Sequence, residues 1–364
     1  MTLKKHLAEK VLKQNCQSDK RGGEESIMTI KDIAKESGYG VGTVSRVLNH
    51  AENVSPKARE RIMEVVKAKQ YQPNTNAKHL KMQAQSGIAI IVRGIQNILF
   101  EALLERMQQL IEKNHMTCQI HFIDQDENEL SAAKTLISEK NPQGILFLGS
   151  NFEQYKRREV ESLTLPCVTV TTSSVACDMN NLSSISVDDT AAAKHVMEYL
   201  FAKGHREIGL IGWNPELSGP VAARLAGCRL ALLHRNMTLD LEKQYAFARF
   251  SLRGGYEAAK ELIEKYPEMT AIFAMSDLNA IGAVRALKDL GKHVPEDISV
   301  IGFDGIEPTE YVVPRLTTVY QNTERIAVRS VEIILQLIKS PTTSIHEIIP
   351  FEFRERESVR DISR

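Results

Sequence analysis

Apolar residues follow two rhythms along this chain, and the change falls at Gly87. Before it they recur at three- and four-residue intervals in three short runs, the spacing of one helix face. Thr29 can cap a first helix with Ile30, Ile33 and Ala34 on one side and Asp32 in the first turn, where the helix dipole favours an anion. Ser37, Gly38 and Tyr39 break it. A second helix turns Val44, Val47 and Leu48 inward and leaves Thr43, Ser45 and Arg46 facing out. A third opens on Ser55 and Pro56, an N-cap and first-turn proline, with Ala58, Ile62, Val65 and Val66 on its inner face. Tyr71 seals this small core and Pro73 ends the unit. The next stretch, 74–80, is helix-capable but too short to persist alone.

After Gly87 the apolar residues come in continuous blocks, at 88–92, 118–123, 144–148, 167–170, 208–211, 271–275 and 298–303. Helical stretches lie between most of them, which predicts strands buried on both faces of parallel sheets. The fold class expected is an all-α head followed by an α/β body of two doubly wound lobes with a cleft between them. The expected domains are an N-terminal extension (1–27), a head (28–73), a hinge and linker (74–86), the body (87–355) and a charged tail (356–364) without a coiled-coil heptad.

The chain has 364 residues, 43% of them hydrophobic, enough for two or three domains. Formal net charge is zero, but the sum hides a split: residues 28–87 carry ten Lys or Arg against five Asp or Glu, whereas residues 88–364 carry thirty against thirty-seven. A basic head on an acidic body predicts that only the head meets a polyanion. The five cysteines, Cys16, Cys118, Cys167, Cys177 and Cys228, are widely spaced with no CxxC pair, which argues against a disulfide framework or a zinc ribbon. No apolar run approaches the roughly 20 residues of a membrane span, and the N-terminus lacks the apolar core of a signal peptide. A cytoplasmic protein without membrane contact is the expectation. Residues 1–27 read as a frayed extension. Their Arg21-Gly22-Gly23-Glu24-Glu25 is also what a purine-rich ribosome-binding site encodes when translated, which makes Met28 a second candidate start.

Two short helices joined by a glycine-containing turn, the second offering small polar residues and an arginine, match a helix-turn-helix that lays its second helix in a DNA major groove. Gly38, Gly40 and Gly42 do not form a phosphate loop. No strand precedes them, the third falls one residue early for GxGxxG, and no Lys-Ser/Thr pair follows. Enzyme motifs are missing too: there is no HExxH or GxSxG, and Gly291-Lys292 is followed by His293 where a phosphate loop needs Ser or Thr. The ten histidines are scattered without ligand spacing. No catalytic residue, metal site or cofactor is expected.

From Met28 to about Glu355 the chain resembles the lactose-repressor family of bacterial transcription regulators. The matching motifs, in family order, are TIKDIA at 29–34, TVSRVLN at 43–49, Val54-Ser55, Tyr71-Gln72-Pro73-Asn74, Gly204-His205, Ser276-Asp277, Ile301-Gly302-Phe303-Asp304 and Leu316-Thr317-Thr318. The resemblance implies a DNA-binding repressor with a body of the periplasmic-binding-protein type, whose operator affinity is set by a small ligand between the lobes. It places Val41 and Gly42 at base-reading positions with Arg46 a third one turn later, and Thr43 and Ser45 on phosphate or thymine methyl. Thr29, Asn49 and Tyr71 are further DNA-contact candidates. An arginine held to guanine O6 and N7 is worth about 1–3 kcal/mol of discrimination. Asn74, Ala77 and Leu80 match the family's hinge helix, whose leucine wedges between bases in the minor groove. Two such hinges side by side imply a homodimer on a near-palindromic double-stranded operator. Gly40 and Gly42 depart from the family, at roughly 1 kcal/mol each in helix propensity, which shifts readout toward Arg46, Val41 and DNA shape.

In the body, the positions matching the family's effector contacts are Asn97, Phe100, Thr171, Arg224, Phe250, Ser276 and Asp304. An Asp and an Arg facing an aromatic surface suit a sugar, because adjacent hydroxyls take charge-assisted hydrogen bonds while the ring packs on Phe250. A structural Arg224–Asp304 ion pair is the competing reading. Asp277 is expected to cap the helix after its strand, and Gln321 to sit at the lobe crossover. Thr171 stands near where sugar-responsive relatives often carry an acid. The expected ligand is a sugar or oligosaccharide first, a purine-like molecule second, and a phosphorylated carrier protein third.

Overall fold

The computed structural model describes residues 30–48, 54–69, 87–94, 97–124, 127–214 and 219–363. They fall into two units, Met1–Ala84 and Gln85–Arg364.

Three helices form the first unit: α1 (Ile30–Ser37), α2 (Val41–Leu48) and α3 (Pro56–Ala68). Ile33, Val44, Val47 and Ile62 are shut off from solvent, and Ala34, Val65 and Val66 close around them. Burial of each large member contributes about 1.5–3 kcal/mol, which lets helices as short as eight residues persist. The turn after α1 needs Gly38, whose φ is +76° and whose N–H donates to Ala34 O at 3.1 Å. Ser55 caps α3 by accepting from Ala58 N at 3.4 Å, just ahead of Pro56. Gly40 precedes α2, and its carbonyl accepts from Thr43 and Val44 N–H. A glycine at an N-cap loses only a few tenths of a kcal/mol, so the propensity cost foreseen for two helical glycines falls on Gly42 alone.

The second unit begins with β1 (Ile88–Arg93), α4 (Ile98–Lys113), β2 (Cys118–Ile123), α5 (Glu129–Lys140), β3 (Gly144–Leu148), α6 (Arg157–Val160), β4 (Cys167–Val170) and β5 (Leu182–Ser186). Next come α7 (Asp189–Ala202), β6 (Ile208–Gly212), α8 (Pro220–Leu233), α9 (Leu241–Gln244), β7 (Tyr245–Phe247), α10 (Leu252–Lys265), β8 (Ala271–Ala274), α11 (Asp277–Asp289), β9 (Ser299–Asp304) and β10 (Thr317–Tyr320). The chain closes with α12 (Thr323–Lys339), β11 (His346–Ile348) and β12 (Glu352–Arg354). The first sheet runs β11-β5-β4-β3-β1-β2 and is parallel throughout; the second runs β12-β10-β9-β8-β6-β7 with only β12 antiparallel. In β1, Ile88 and Ile90 enter one apolar cluster and Ala89 and Ile91 another, so the strand is buried on both faces. The chain passes between the lobes three times: after β5, after β10, and between β11 and β12. After the second pass α12 returns to the first lobe, where its Glu324 accepts from Arg106 of α4 at 2.8 and 2.7 Å.

Four strands lack a continuous apolar run, and a fifth, β7, is too short to show one. β5 is serine-rich because its serines bond neighbours: Ser183 Oγ accepts from Ile345 N at 2.9 Å, and Ser184 Oγ lies 2.8 Å from His346 Nδ1. β10 opens on two buried threonines, and β7, β11 and β12 are three-residue edges. β2 is the reverse case. Read as buried on both faces, it is an edge strand with Ile120 and Phe122 37% and 49% exposed. Residues 356–363, set apart above as a tail, lie along the second lobe. Val300 N donates to Ser358 O at 2.8 Å, and buried His205 bridges Thr270 Oγ1 (2.9 Å) and Arg360 O (3.1 Å). Among the described residues no helix is long and apolar enough to cross a membrane.

Candidate functional site

The carboxyl ends of both sheets open onto a cleft of about 480 Å³, the place where open parallel sheets hold ligands. Arg93 ends β1, Thr171 follows β4, Trp213 follows β6, Ser276 lies just past β8, Asp304 ends β9 and Gln321 follows β10; all line the cleft. The structure thereby brings together Asn97, Phe100, Thr171, Arg224, Phe250, Ser276 and Asp304 on one wall system.

Not all of them have the same capacity left. Asn97 caps α4, its side-chain oxygen accepting from Leu99 N at 3.1 Å, so its amide nitrogen is what remains. The Phe100 ring crosses Gly149, which takes φ +77° and where a Cβ would stand 2.5 Å from the ring. Ser276, rather than Asp277, caps α11: its hydroxyl accepts from Asn279 N (3.2 Å) and donates to Asn279 Oδ1 (3.0 Å). Asp277 turns beneath the site instead, accepting from Gly305 N (2.6 Å), Ile306 N (2.9 Å) and Thr318 Oγ1 (2.6 Å). The carboxylate lies so close to β9 that a Cβ on Gly302 would meet its Oδ1 at 2.1 Å. Burial raises the Asp277 carboxyl to about 6, against three donors that favour the anion.

Arg224 is 5% exposed. Its Nε donates to Asp189 Oδ1 at 2.8 Å, its Nη1 donates to Met275 O, and its guanidinium stacks 3.5 Å from the Phe303 ring centroid. Nη2 reaches Asp304 Oδ1 only at 4.0 Å. The tight ion pair is therefore with Asp189, a residue the sequence reading passed over, and the Arg224–Asp304 contact is the looser one. Asp304 holds φ +125° and accepts from Gln321 Nε2 at 2.8 Å. Burial, opposed by Arg224 and reinforced by Asp277, pushes its carboxyl up to about 8.

On the first lobe, fully buried Glu129 holds the guanidinium of Arg93 and accepts from Tyr155 Oη (2.6 Å) and Asn151 N (3.1 Å). Thr172 Oγ1 and Gln321 Oε1, on residues that line the cleft, are buried without a partner, a state that native proteins keep rare. Arg93, Trp213 and Arg249 also line the cleft and went unread in the sequence. The first two stand within two residues of strands that were legible, so the rule that ligands sit beyond strand carboxyl ends would have found them.

In the three-helix unit Val44 and Val47 point into the core, Thr43 and Ser45 are half-buried, and Val41, Gly42 and Arg46 are exposed. Among the described residues Arg46 makes no ion pair. Thr29, Asn49, Tyr71, Asn74, Ala77 and Leu80 lie outside the described residues, as do residues 1–27.

Residues 29–74 match the family profile described as bacterial regulatory proteins, lacI family, and residues 197–359 match the periplasmic binding protein-like domain. The HTH-type transcriptional regulator MalR of Clostridium butyricum is 33% identical over 339 residues, covering 92% of this chain and 100% of that protein. Among solved structures, the CelR–cellobiose complex aligns with a TM-score of 0.67 at 24% identity, covering 91% of this chain and 99% of that one. The lac repressor dimer bound to operator and the anti-inducer ONPF aligns with a TM-score of 0.73 at 21% identity, covering 92% and 99%. The likeness to these two structures is one of fold. With a helix-turn-helix head, a two-lobed body and a full-length relative at this identity, the chain belongs to the lacI family of bacterial regulatory proteins and is a transcriptional regulator.

Proposed function

We propose that this regulator binds a near-palindromic operator in the cytoplasm as a homodimer, and that a saccharide in the interlobe cleft sets its operator affinity. One observation carries the ligand class: Arg224 Nη2 and Asp304 Oδ1 stand 4.0 Å apart, a donor and an acceptor for adjacent hydroxyls. Phe100, Phe250 and Trp213 line the same space and suit sugar ring faces. The CelR structure holds cellobiose, which supports the same class. On DNA, Arg46 and Val41 read bases beside Gly42, while Thr43 and Ser45 position α2. Thr29, Asn49, Tyr71, Asn74 and Ala77 add contacts, and Leu80 is the minor-groove wedge. Ligand favours one arrangement of the lobes, the hinge segments of the dimer respond, and the two affinities are linked reciprocally.

The test is a thermal-shift screen of mono- and disaccharides on the full chain, followed by operator selection with and without each hit. At least one sugar is expected to raise the melting temperature and to change affinity for the selected duplex. A protein that prefers no duplex over random sequence at physiological ionic strength, with or without sugar, would sink the reading.

A further inference from the structure

We infer that the cleft is built for an uncharged saccharide and rejects phosphorylated and uronic-acid sugars. The inference rests on the saccharide reading above and narrows it.

Arginines on the wall suggest an anion site at first sight, but Arg224 and Arg93 are already committed. Arg224 is held by Asp189 at 2.8 Å, by Met275 O and by the Phe303 ring. Arg93 is held by Glu129 and by Glu127 O at 3.0 Å. An incoming anion could claim either guanidinium only by loosening a salt bridge and leaving Asp189 or Glu129 poorly compensated, although both are buried. The remaining cleft arginine, Arg249, is exposed at the rim near Trp213, where solvent and salt screen its attraction. Asp304 meanwhile stands 4.0 Å from Arg224 Nη2, so wherever its carboxyl is ionised a phosphate or carboxylate at that donor would press against a second carboxylate.

Hydrogen-bonding capacity points the same way. The second oxygen of Asp304 makes no hydrogen bond among the described residues, and Gln321 Oε1 and Thr172 Oγ1 are buried without partners. Ionised Asp304 and a carbonyl oxygen can only accept. Asp304 and Gln321 Oε1 ask for hydroxyl hydrogens, which a polyol supplies and a fully ionised phosphate or carboxylate does not, while the Thr172 hydroxyl can give or take. Beyond Thr172 and Pro220 the cleft adjoins a second cavity of about 270 Å³, lined by Glu153 and Asp189 and, among the described residues, by no lysine or arginine. Any extension of the ligand in that direction finds no cationic side chain among the described residues.

Calorimetric titration of the full chain tests this with matched pairs: maltose beside maltose 6-phosphate, trehalose beside trehalose 6-phosphate, and cellobiose beside its glucuronic-acid counterpart. The neutral member of any binding pair is expected to bind at least about tenfold tighter than its charged partner. A charged sugar that binds as tightly as its neutral partner overturns this inference and leaves the saccharide reading intact. A panel silent throughout, from protein that still selects an operator, overturns the saccharide reading and this inference with it. Asp304→Asn keeps the shape of the side chain, and asparagine tolerates a positive φ. In protein that melts cooperatively and binds the operator normally without ligand, it should weaken neutral-sugar binding and shrink the neutral-over-charged preference; an unchanged preference would remove Asp304 from the mechanism.

Discussion

Thr171 and Asp304 occupy corresponding points of the two lobes. One follows β4 and the other ends β9, each of these strands is third in its sheet, and both residues hold a left-handed φ, +70° and +125°. Such backbone costs of order 1–3 kcal/mol, most clearly for a β-branched residue. Thr171 is held there by its N–H on Ile185 O at 2.8 Å, and Asp304 by Gln321. The strain sits on the two facing walls of the cleft.

Thr171→Gly should release that strain, partly offset by the wider freedom of glycine in the unfolded chain. Urea unfolding is expected to show stability unchanged or raised by about 1 kcal/mol, with weaker saccharide binding. A loss of stability would mean that the threonine side chain contributes more than its backbone costs.

Asp304 makes stability depend on pH. Its carboxyl titrates at about 8 in the folded protein against 3.8 ordinarily, so between those values the native state binds more protons than the unfolded one. Stability should then fall as pH rises from about 4 to about 8 and level off above. Asp304→Asn should flatten the slope in urea midpoints taken across that range. Hydroxyls that donate to the carboxylate favour its anion, so saccharide affinity should climb over the upper part of the same window. Affinity that declines there would contradict the assigned contact.

Arg46 is exposed and makes no ion pair among the described residues, so Arg46→Ala should leave unfolding untouched. Selection from a randomised duplex pool should show relaxed preference at one base pair per half-site, about 1–3 kcal/mol of lost discrimination. Gly42→Ala meets open space and should stabilise the head by about 0.5–1 kcal/mol. Any change in its selected operator would place that backbone against the bases.

Glu129 is the buried acceptor shared by Arg93, Tyr155 and Asn151 N. Removing one side of a buried pair typically costs about 3–5 kcal/mol, so Glu129→Ala should lower the unfolding free energy of the body by that order. Tyr155→Phe, which deletes one hydrogen bond, should cost about 1 kcal/mol. Equal effects from the two would show that the network is not centred on the carboxylate.

Most of this architecture could be read from local pattern, because continuous apolar runs mark strands that sheets cover on both faces. The reading failed where tertiary position overrides composition. The buried serines of β5 have partners from 162 residues later in the chain, and the exposure of β2 follows from its place at a sheet edge. The same limit governs the cleft. Arg224 and Asp304 were identifiable, but Asp189, which decides how much of Arg224 is left for a ligand, comes from 35 residues earlier. Asp277 looked like a cap because it opens a helix. Ser276 takes that duty, and the space beside Gly302 draws the carboxylate toward β9 and the following turn.

The three passes between the lobes also set an order of assembly. The first lobe begins at Ile88 but is finished by α12 and β11, which start at Thr323 and His346. During synthesis the three-helix reader therefore leaves the ribosome complete while the sensor still lacks a covering helix and an edge strand. A chain halted shortly before Thr323 would carry a complete reader but a first lobe without its covering helix and edge strand, so the ligand cleft is finished only when nearly the last residues are made.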